Sequence, residues 1–195
     1  MEFSEGQLYH IYNRGNNKQL IFFKPDNYIY FLQKVRKFIS PQCEILAYCL
    51  MPNHFHFLVY STNKTVEKVK IGNIERNVLS EGIRNMLQTY SKAINKQNNT
   101  SGSLFQQNTK AKEIFKGSNL YDLICFHYIH QNPLKAKLVK KMEDWAYSSF
   151  TDYYGLRNGT LCKKELAIQL LDMNMKSFYK DSYKIINDDD LKNIF

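Results

Sequence analysis

A β-hairpin is predicted by Glu44-Ile-Leu-Ala-Tyr-Cys-Leu-Met-Pro-Asn-His-Phe-His-Phe-Leu-Val-Tyr60. Its two apolar runs are strand-like, and Pro52-Asn53 between them is typical of a turn that also orients the histidines after it. Successive side chains of a strand point to opposite faces, so His54 and His56 share one face. The phenylalanines that alternate with them form the other, buried face. A stiff strand would thus present two adjacent imidazoles, which can hold one metal ion.

A second polar pair lies in Phe126-His-Tyr-Ile-His-Gln-Asn-Pro133. Tyr128 and Asn132 are four residues apart, so they project from one face of a helix. Pro133 is expected to end that helix, because the residue before a proline disfavours the helical conformation. Taken alone, a His-x-His pair is more often two solvated residues on an edge or half-exposed strand. Together with a tyrosine and an amide, they predict a metal site with a nucleophile beside it.

Three blocks of the sequence resemble the HUH endonuclease superfamily, and within it the REP-associated branch of the single-tyrosine transposases. The blocks are Tyr9-His-Ile-Tyr-Asn-Arg-Gly15, Leu50-Met-Pro-Asn-His-Phe-His56 and Tyr128-Ile-His-Gln-Asn-Pro-Leu-Lys-Ala-Lys-Leu-Val139. The similarity covers roughly residues 7 to 155. We therefore expect a transposase domain over residues 1–155 and a C-terminal helical extension over residues 156–195.

The resemblance implies that Tyr128 cleaves single-stranded DNA and leaves a 5′-phosphotyrosine link and a free 3′-hydroxyl. His54, His56 and Asn132 would hold a divalent ion, with Gln131 as the alternative to Asn132. Two imidazoles and an amide are not the oxygen-rich set that Mg²⁺ prefers, so Mn²⁺ ranks beside or above Mg²⁺ in vitro. In the cell, the abundance of Mg²⁺ would decide. The histidines that flank Tyr128 are expected on the helix surface, with a backup ligand or a phosphate contact as the alternative; they are His127 and His130.

An excess of basic residues favours a polyanionic partner. The chain has 27 Lys and Arg against 18 Asp and Glu, a net charge of +9. The expected DNA contacts are Arg14, Lys110, Lys112, Lys116, Lys135, Lys137, Lys140 and Lys141. For Arg14 the alternative is a cap of the adjacent turn, and for the lysines after residue 134 it is a solvated surface. By resemblance the partner is single-stranded DNA with a hairpin, bound by a monomer; a homodimer that shares the tyrosine is the alternative.

The order of the predicted elements indicates an α+β fold. Strand, helix, strand, strand, helix, strand is the split βαβ pattern of a ferredoxin-like antiparallel sheet, with helices expected on one face. Residues 64–79 are predicted to be a loop or a weak helix. The predicted elements are strands Leu8–Tyr12, Glu44–Met51, His54–Tyr60 and Ser103–Ile114, and helices Pro25–Ile39, Ser80–Asn95 and one from near Ser118 that carries Tyr128. A non-catalytic nucleic-acid-binding module shares this element order and is the alternative function; a zinc hydrolase that uses water is a third.

Cysteine usage and hydropathy bear on the compartment. Four cysteines lack the Cys-x-x-Cys spacing of zinc and redox sites, so we expect buried thiols in a reducing compartment. The first residues show no basic segment followed by an apolar run. The longest apolar stretch, Ile45–Met51, is far shorter than the ~20 residues of a membrane span. We therefore expect a soluble, cytoplasmic protein.

Overall fold

The central sheet is built around the strand that carries the two histidines. The computed structural model describes residues 1–114 and 121–187. Its strands are β1 Leu8–Arg14, β2 Cys43–Met51, β3 His54–Ser61, β4 Lys68–Ile71, β5 Ile74–Asn77 and β6 Lys110–Ile114. Four of them form an antiparallel sheet in the order β2-β3-β1-β6, and β4 and β5 form a separate hairpin. The predicted α+β class with an antiparallel sheet is confirmed.

The helices lie on both faces of this sheet. They are α1 Pro25–Phe38, α2 Asn63–Val66, α3 Val78–Asn98, α4 Tyr121–Lys135, α5 Phe150–Tyr153, α6 Lys164–Leu170 and α7 Phe178–Ser182. On the phenylalanine face, the Phe31 ring of α1 lies 5.2 Å from Phe55 and 4.9 Å from Tyr90 of α3. On the histidine face, the Tyr128 ring of α4 lies 5.8 Å from His56.

The expectation that the helices lie on one face of the sheet is therefore wrong. The histidine face of the sheet is itself largely apolar, because Ala47, Cys49 and Leu58 lie on it and are fully buried. Such a face must be covered, and α4 covers it. The phenylalanine face is covered by α1 and α3, as the pattern of β3 predicted.

Pro133 does not end α4, which continues to Lys135. A proline in the last turn lacks the N–H that would bond the carbonyl of Ile129. The side-chain amide of Asn132 lies in that place: its Nδ2 donates to Tyr128 O over 2.9 Å and approaches Ile129 O at 3.4 Å. Asn132 therefore supplies a side-chain donor near the position where the proline lacks one, and the helix continues.

Two other segments differ from the predictions. The segment predicted as a loop or weak helix contains the β4–β5 hairpin, whose turn places Gly72 at φ 60°, a conformation that favours glycine. The long strand predicted from Ser103 is regular only over β6, preceded by a single bridge between Gly15 and Phe105. The predicted helix start at Ser118 lies outside the described residues.

The C-terminal residues share the core of the preceding chain. Phe178 of α7 packs 5.6 Å from Phe150 and 6.4 Å from Phe126 of α4, measured between ring centroids. The four cysteines are buried free thiols, as predicted. The division into residues 1–155 and 156–195 stays a prediction. Within the described ranges, no helix combines the length and apolarity needed to cross a membrane.

Candidate active site

A cavity of about 340 Å³ lies where the histidine face of the sheet meets α4. Neighbouring strands bring their side chains to it in register, because Tyr12 pairs with His56 and Arg14 with His54. Its lining residues are Tyr12, Asn13, Arg14, His54, His56, Gln106, Asn108, Lys110 and Tyr128. None of these described lining residues is acidic, so the cavity is suited to an anion.

The two histidines of β3 have fixed and different surroundings. Their rings are nearly perpendicular, with centroids 5.1 Å apart. Asn53 Nδ2 donates to Lys18 O, which turns Asn53 Oδ1 towards His54 Nδ1 at 2.6 Å. An amide oxygen only accepts, so His54 Nδ1 carries the proton and Nε2 is the nitrogen that can bind a metal.

His56 is hydrogen-bonded to a histidine that the sequence did not single out. His10 Nε2 lies 2.8 Å from His56 Nδ1, the rings are stacked at 5.0 Å, and both side chains are buried. The alternation of β1 places His10, Tyr12 and Arg14 on one face. The sequence pattern did not show that β1 pairs with β3, and this pairing brings that face next to His56.

Burial keeps both histidines of the pair neutral. Burial, assisted by the charge of Arg14 and opposed by a hydrogen bond with Asn132, lowers the pKa of His54 to about 4. Burial also lowers the pKa of His56 well below its ordinary value, assisted by His10, His54 and Arg14. Neutral imidazole is the form that binds a metal ion, so both side chains are competent ligands at neutral pH.

Tyr128 and Asn132 meet the histidines from the opposite side. Burial raises the pKa of Tyr128 to about 12, and a hydrogen bond with Asn132 opposes this shift. The phenol is therefore protonated at neutral pH and needs help to lose its proton. Because Nδ2 of Asn132 bonds the helix backbone, its Oδ1 is the atom that can act as a ligand. Lys135 Nζ lies 5.3 Å from the centre of the Tyr128 ring.

Arg14 is placed to bind an anion. It lines the cavity, and its Nε is buried with no hydrogen-bond partner among the described residues. No carboxylate in the described part of the chain forms an ion pair with it. A guanidinium in this setting can donate hydrogen bonds to a phosphate without first breaking an ion pair with another described residue.

The predicted DNA-binding lysines do not all lie at the site. Lys110 and Lys135 lie at the site, and Lys112 pairs with His10 on the same sheet face without lining the cavity. Lys137 and Lys140 line a separate surface depression, and Lys141 is exposed. Lys116 lies outside the described residues.

The remaining polar residues of α4 point away from the site. Gln131, the alternative ligand, donates through Nε2 to Ser182 O at 2.7 Å and Lys184 O at 2.8 Å. His127 is buried near Phe178, and His130 is buried with its Nε2 2.7 Å from Ser149 Oγ. The expected surface position of the two histidines is wrong, because Phe178 covers His127 and residues 149–153 enclose His130.

The donor atoms fit a divalent transition metal. Two imidazole nitrogens and one amide oxygen are available from His54, His56 and Asn132, and all three are uncharged. Among the described residues, no group of three or more His, Cys, Asp or Glu side chains could hold a metal ion, so a third protein ligand beside the two histidines would have to be of another type, such as the amide of Asn132. Neutral ligands leave the charge of the ion uncompensated, which favours a bound phosphate.

Comparisons with known proteins give a likeness of fold. No protein-family model matches the chain, and no curated protein matches it by sequence. Among solved structures, it is similar to a REP-associated tyrosine transposase bound to a REP hairpin, with a TM-score of 0.59. The sequence identity is 17%, and the match covers 80% of this chain and 82% of that one. At this identity, the comparison establishes that the two chains share a fold.

Proposed function

We propose that this protein is a metal-dependent endonuclease and strand transferase for single-stranded DNA, of the transposase type. One observation carries the proposal: His54, His56 and Tyr128 line one cavity without acidic lining residues, and Asn132 is a hydrogen-bond partner of both His54 and Tyr128. These residues come from a strand and a helix that are distant in sequence. Their convergence supports a metal site with a nucleophile, and the fold shared with a tyrosine transposase is consistent with it.

In the proposed reaction, Tyr128 exchanges one phosphate ester for another. Its Oη forms a bond to the scissile phosphorus, the bond from phosphorus to the 3′-oxygen breaks, the phenol loses its proton and the 3′-oxygen gains one. The products are a 5′-phosphotyrosine and a free 3′-hydroxyl, so the energy of the diester is kept for rejoining. A divalent ion, when bound, would neutralise charge on the phosphate and assist loss of the phenolic proton.

The residues of the chain position the two reactants. His54, His56 and Asn132 would hold the ion, while Arg14 and Lys110 would contact the phosphate. The Tyr128 ring projects from α4 towards the sheet and lies 5.8 Å from the His56 ring, which restricts its position relative to the proposed ligands.

The proposed substrate is single-stranded DNA beside a hairpin. The cavity is lined by residues of the sheet and by Tyr128 of α4, and the scissile phosphate would have to lie between them, where a paired second strand would obstruct it. The similar solved structure holds a hairpin, and we extend that substrate class to this chain as part of the proposal. Charge supports it as well, since the chain carries a net +9.

A non-catalytic nucleic-acid-binding module is the second candidate. Such modules stack bases on aromatic side chains of an open sheet. Here α4 covers part of the corresponding face, and histidines occupy the central strand, which favours catalysis. The observation in favour of this candidate is that Tyr12 lines the cavity, where its ring could stack on a base.

A covalent adduct tests the proposal. The protein is incubated with Mn²⁺ and single-stranded oligonucleotides that contain a hairpin flanked by randomised bases and a 3′-end label. Because Tyr128 would be joined to the downstream fragment, the label should migrate with the protein on a denaturing gel. Tyr128→Phe should reduce adduct formation at least about a thousandfold, equivalent to about 4 kcal/mol.

The matched variant is Tyr12→Phe, which changes the other tyrosine of the cavity and should keep the adduct. An adduct that persists in Tyr128→Phe and disappears in Tyr12→Phe would contradict the assignment of the nucleophile. Cleavage with no adduct would favour water as the nucleophile, as in a zinc hydrolase. DNA binding without cleavage and without an adduct would favour the non-catalytic module.

A further inference from the structure

His10 has no part in the chemistry described so far, although it is completely buried behind the histidine pair. On its own strand face, Leu8 is also fully buried, as is Leu58, the residue that pairs with His10 on β3. An apolar side chain at position 10 would avoid the cost of burying an imidazole. The polar residue is therefore best explained by what it contacts.

The contact of His10 is with the inner nitrogen of a proposed metal ligand. Its Nε2 lies 2.8 Å from Nδ1 of His56. Between two neutral imidazoles, one proton occupies this bond. If His10 Nε2 carried the proton, Nδ1 of His56 would accept it, and the proton of His56 would lie on Nε2, where it blocks a metal. If His56 Nδ1 carries the proton, Nε2 of His56 keeps its lone pair.

The surroundings of His54 show the same arrangement with a different residue. Asn53 Oδ1 accepts from Nδ1 of His54 and so leaves Nε2 as the coordinating nitrogen. Metal-binding histidines commonly have such a partner for their second nitrogen, and it sets both the tautomer and the orientation of the ring. In this pair, an amide serves one histidine and an imidazole serves the other.

We propose that His10 is a positioning residue that accepts a hydrogen bond from His56 Nδ1 and thereby directs His56 Nε2 to the metal. This inference rests on the proposed metal site. In this role His10 accepts a hydrogen bond, and an apolar side chain of similar size could not take its place. It also requires that the proton of His10 be on Nδ1.

The tautomers of the wild-type protein provide the first test. The chain has 5 histidines, so long-range ¹H–¹⁵N correlation spectra of histidine-labelled, metal-free protein can be assigned with single variants. We expect His56 protonated on Nδ1 and His10 unprotonated on Nε2. A proton on Nε2 of His56 in the folded protein would overturn the proposal, whatever the variants do.

Metal affinity provides the second test. His10→Gln places a carbonyl oxygen within reach of His56, whereas His10→Leu fills the space without an acceptor. The dissociation constant for Mn²⁺ alone, measured by titration calorimetry, should rise about 10–100-fold in His10→Leu and stay within a few-fold of wild type in His10→Gln. His127→Leu, which changes a buried histidine away from the site, should leave the constant unchanged.

Thermal unfolding of the metal-free variants separates positioning from packing. Loss of stability in His10→Leu with unchanged Mn²⁺ affinity would show that His10 only fills the core, and the proposal would fail. Equal loss of affinity in the glutamine and leucine variants would also overturn it. Mn²⁺ binding that depends on His10, without any DNA adduct, would refute the proposed cleavage and leave the role of His10 standing. No Mn²⁺ binding by wild type would refute both.

Discussion

Asn132 takes part both in the end of α4 and in the proposed metal site. Its Nδ2 bonds the backbone before Pro133, and its Oδ1 is the proposed ligand. Asn132→Ala should remove both functions, weakening Mn²⁺ binding about 10-fold or more and lowering the free energy of unfolding by about 1–2 kcal/mol.

Asn132→Asp separates the two functions of this side chain. A carboxylate keeps an oxygen ligand and adds negative charge but has no N–H for the backbone carbonyls, so metal affinity should be retained or increased while stability falls at least as much as in Asn132→Ala. Calorimetric titration with Mn²⁺ and urea unfolding of the metal-free proteins measure the two effects. Equal Mn²⁺ affinities for wild type and Asn132→Ala would contradict the ligand assignment.

Individual site residues were predictable only where the signal is local. The two-residue period of β3 relates His54 to His56, and the helical period relates Tyr128 to Asn132. His10 belongs to the site because β1 pairs with β3 in one register, which no local pattern specifies. The error at His127 has a similar origin, since a distant segment of the chain buries the side of α4 that the sequence left unassigned.

At the scale of elements, α4 is held between the sheet and the C-terminal segment. Gln131 donates to the carbonyls of Ser182 and Lys184 at the end of α7, and Phe178 packs beside Phe126. These contacts fix the side of α4 opposite the cavity. The C-terminal residues thus support the position of Tyr128 without entering the site.

Gln131→Leu tests this support. Two partly enclosed carbonyls would lose their donor, so the free energy of unfolding should fall by about 1–3 kcal/mol and proteolysis within residues 164–187 should accelerate. Mn²⁺ affinity should be unchanged, because Gln131 is turned away from the histidines. If Gln131→Leu removed Mn²⁺ binding while the C-terminal segment stayed resistant to protease, Gln131 would be the ligand in place of Asn132.

The elements themselves were predictable to different degrees. α1 and β3 match the predicted ranges within a residue or so at each end, because each has a clear period and a flanking proline or turn. The continuation of α4 past Pro133 was not predictable from proline chemistry. It depends on a side-chain bond from Asn132 that forms only in the folded helix.

At the scale of the whole molecule, buried histidines make stability sensitive to acid. Burial lowers the pKa of His54 and of His127 to about 4, and it lowers those of His56 and His130 as well. In the unfolded chain a histidine has a pKa near 6.5. The unfolded state therefore binds more protons below that value, and the free energy of unfolding should fall as pH drops from about 6.5 towards 4.

Urea unfolding of the metal-free protein at pH 7 and pH 5 measures this effect. His127→Leu removes one of the four groups without touching the site, so its stability should fall less steeply with acid. The difference in slope should be at most about 1.4 kcal/mol per pH unit. Equal stability of wild type at the two pH values would contradict the neutral, buried state of these histidines.

The structure predicts that one chain contains a complete site. α4 packs on β2 of its own chain and on its own C-terminal segment, and His54, His56, Tyr128 and Asn132 meet without a second copy. A His56→Ala chain lacks a ligand and a Tyr128→Phe chain lacks the nucleophile, so a mixture of the two should form no more adduct than either alone. Wild type diluted to the same total concentration with Tyr128→Phe serves as the control and should keep its activity in proportion to its share. Adduct restored in the mixture would show that the tyrosine of one subunit acts on the metal site of another, and the monomeric assignment would be wrong.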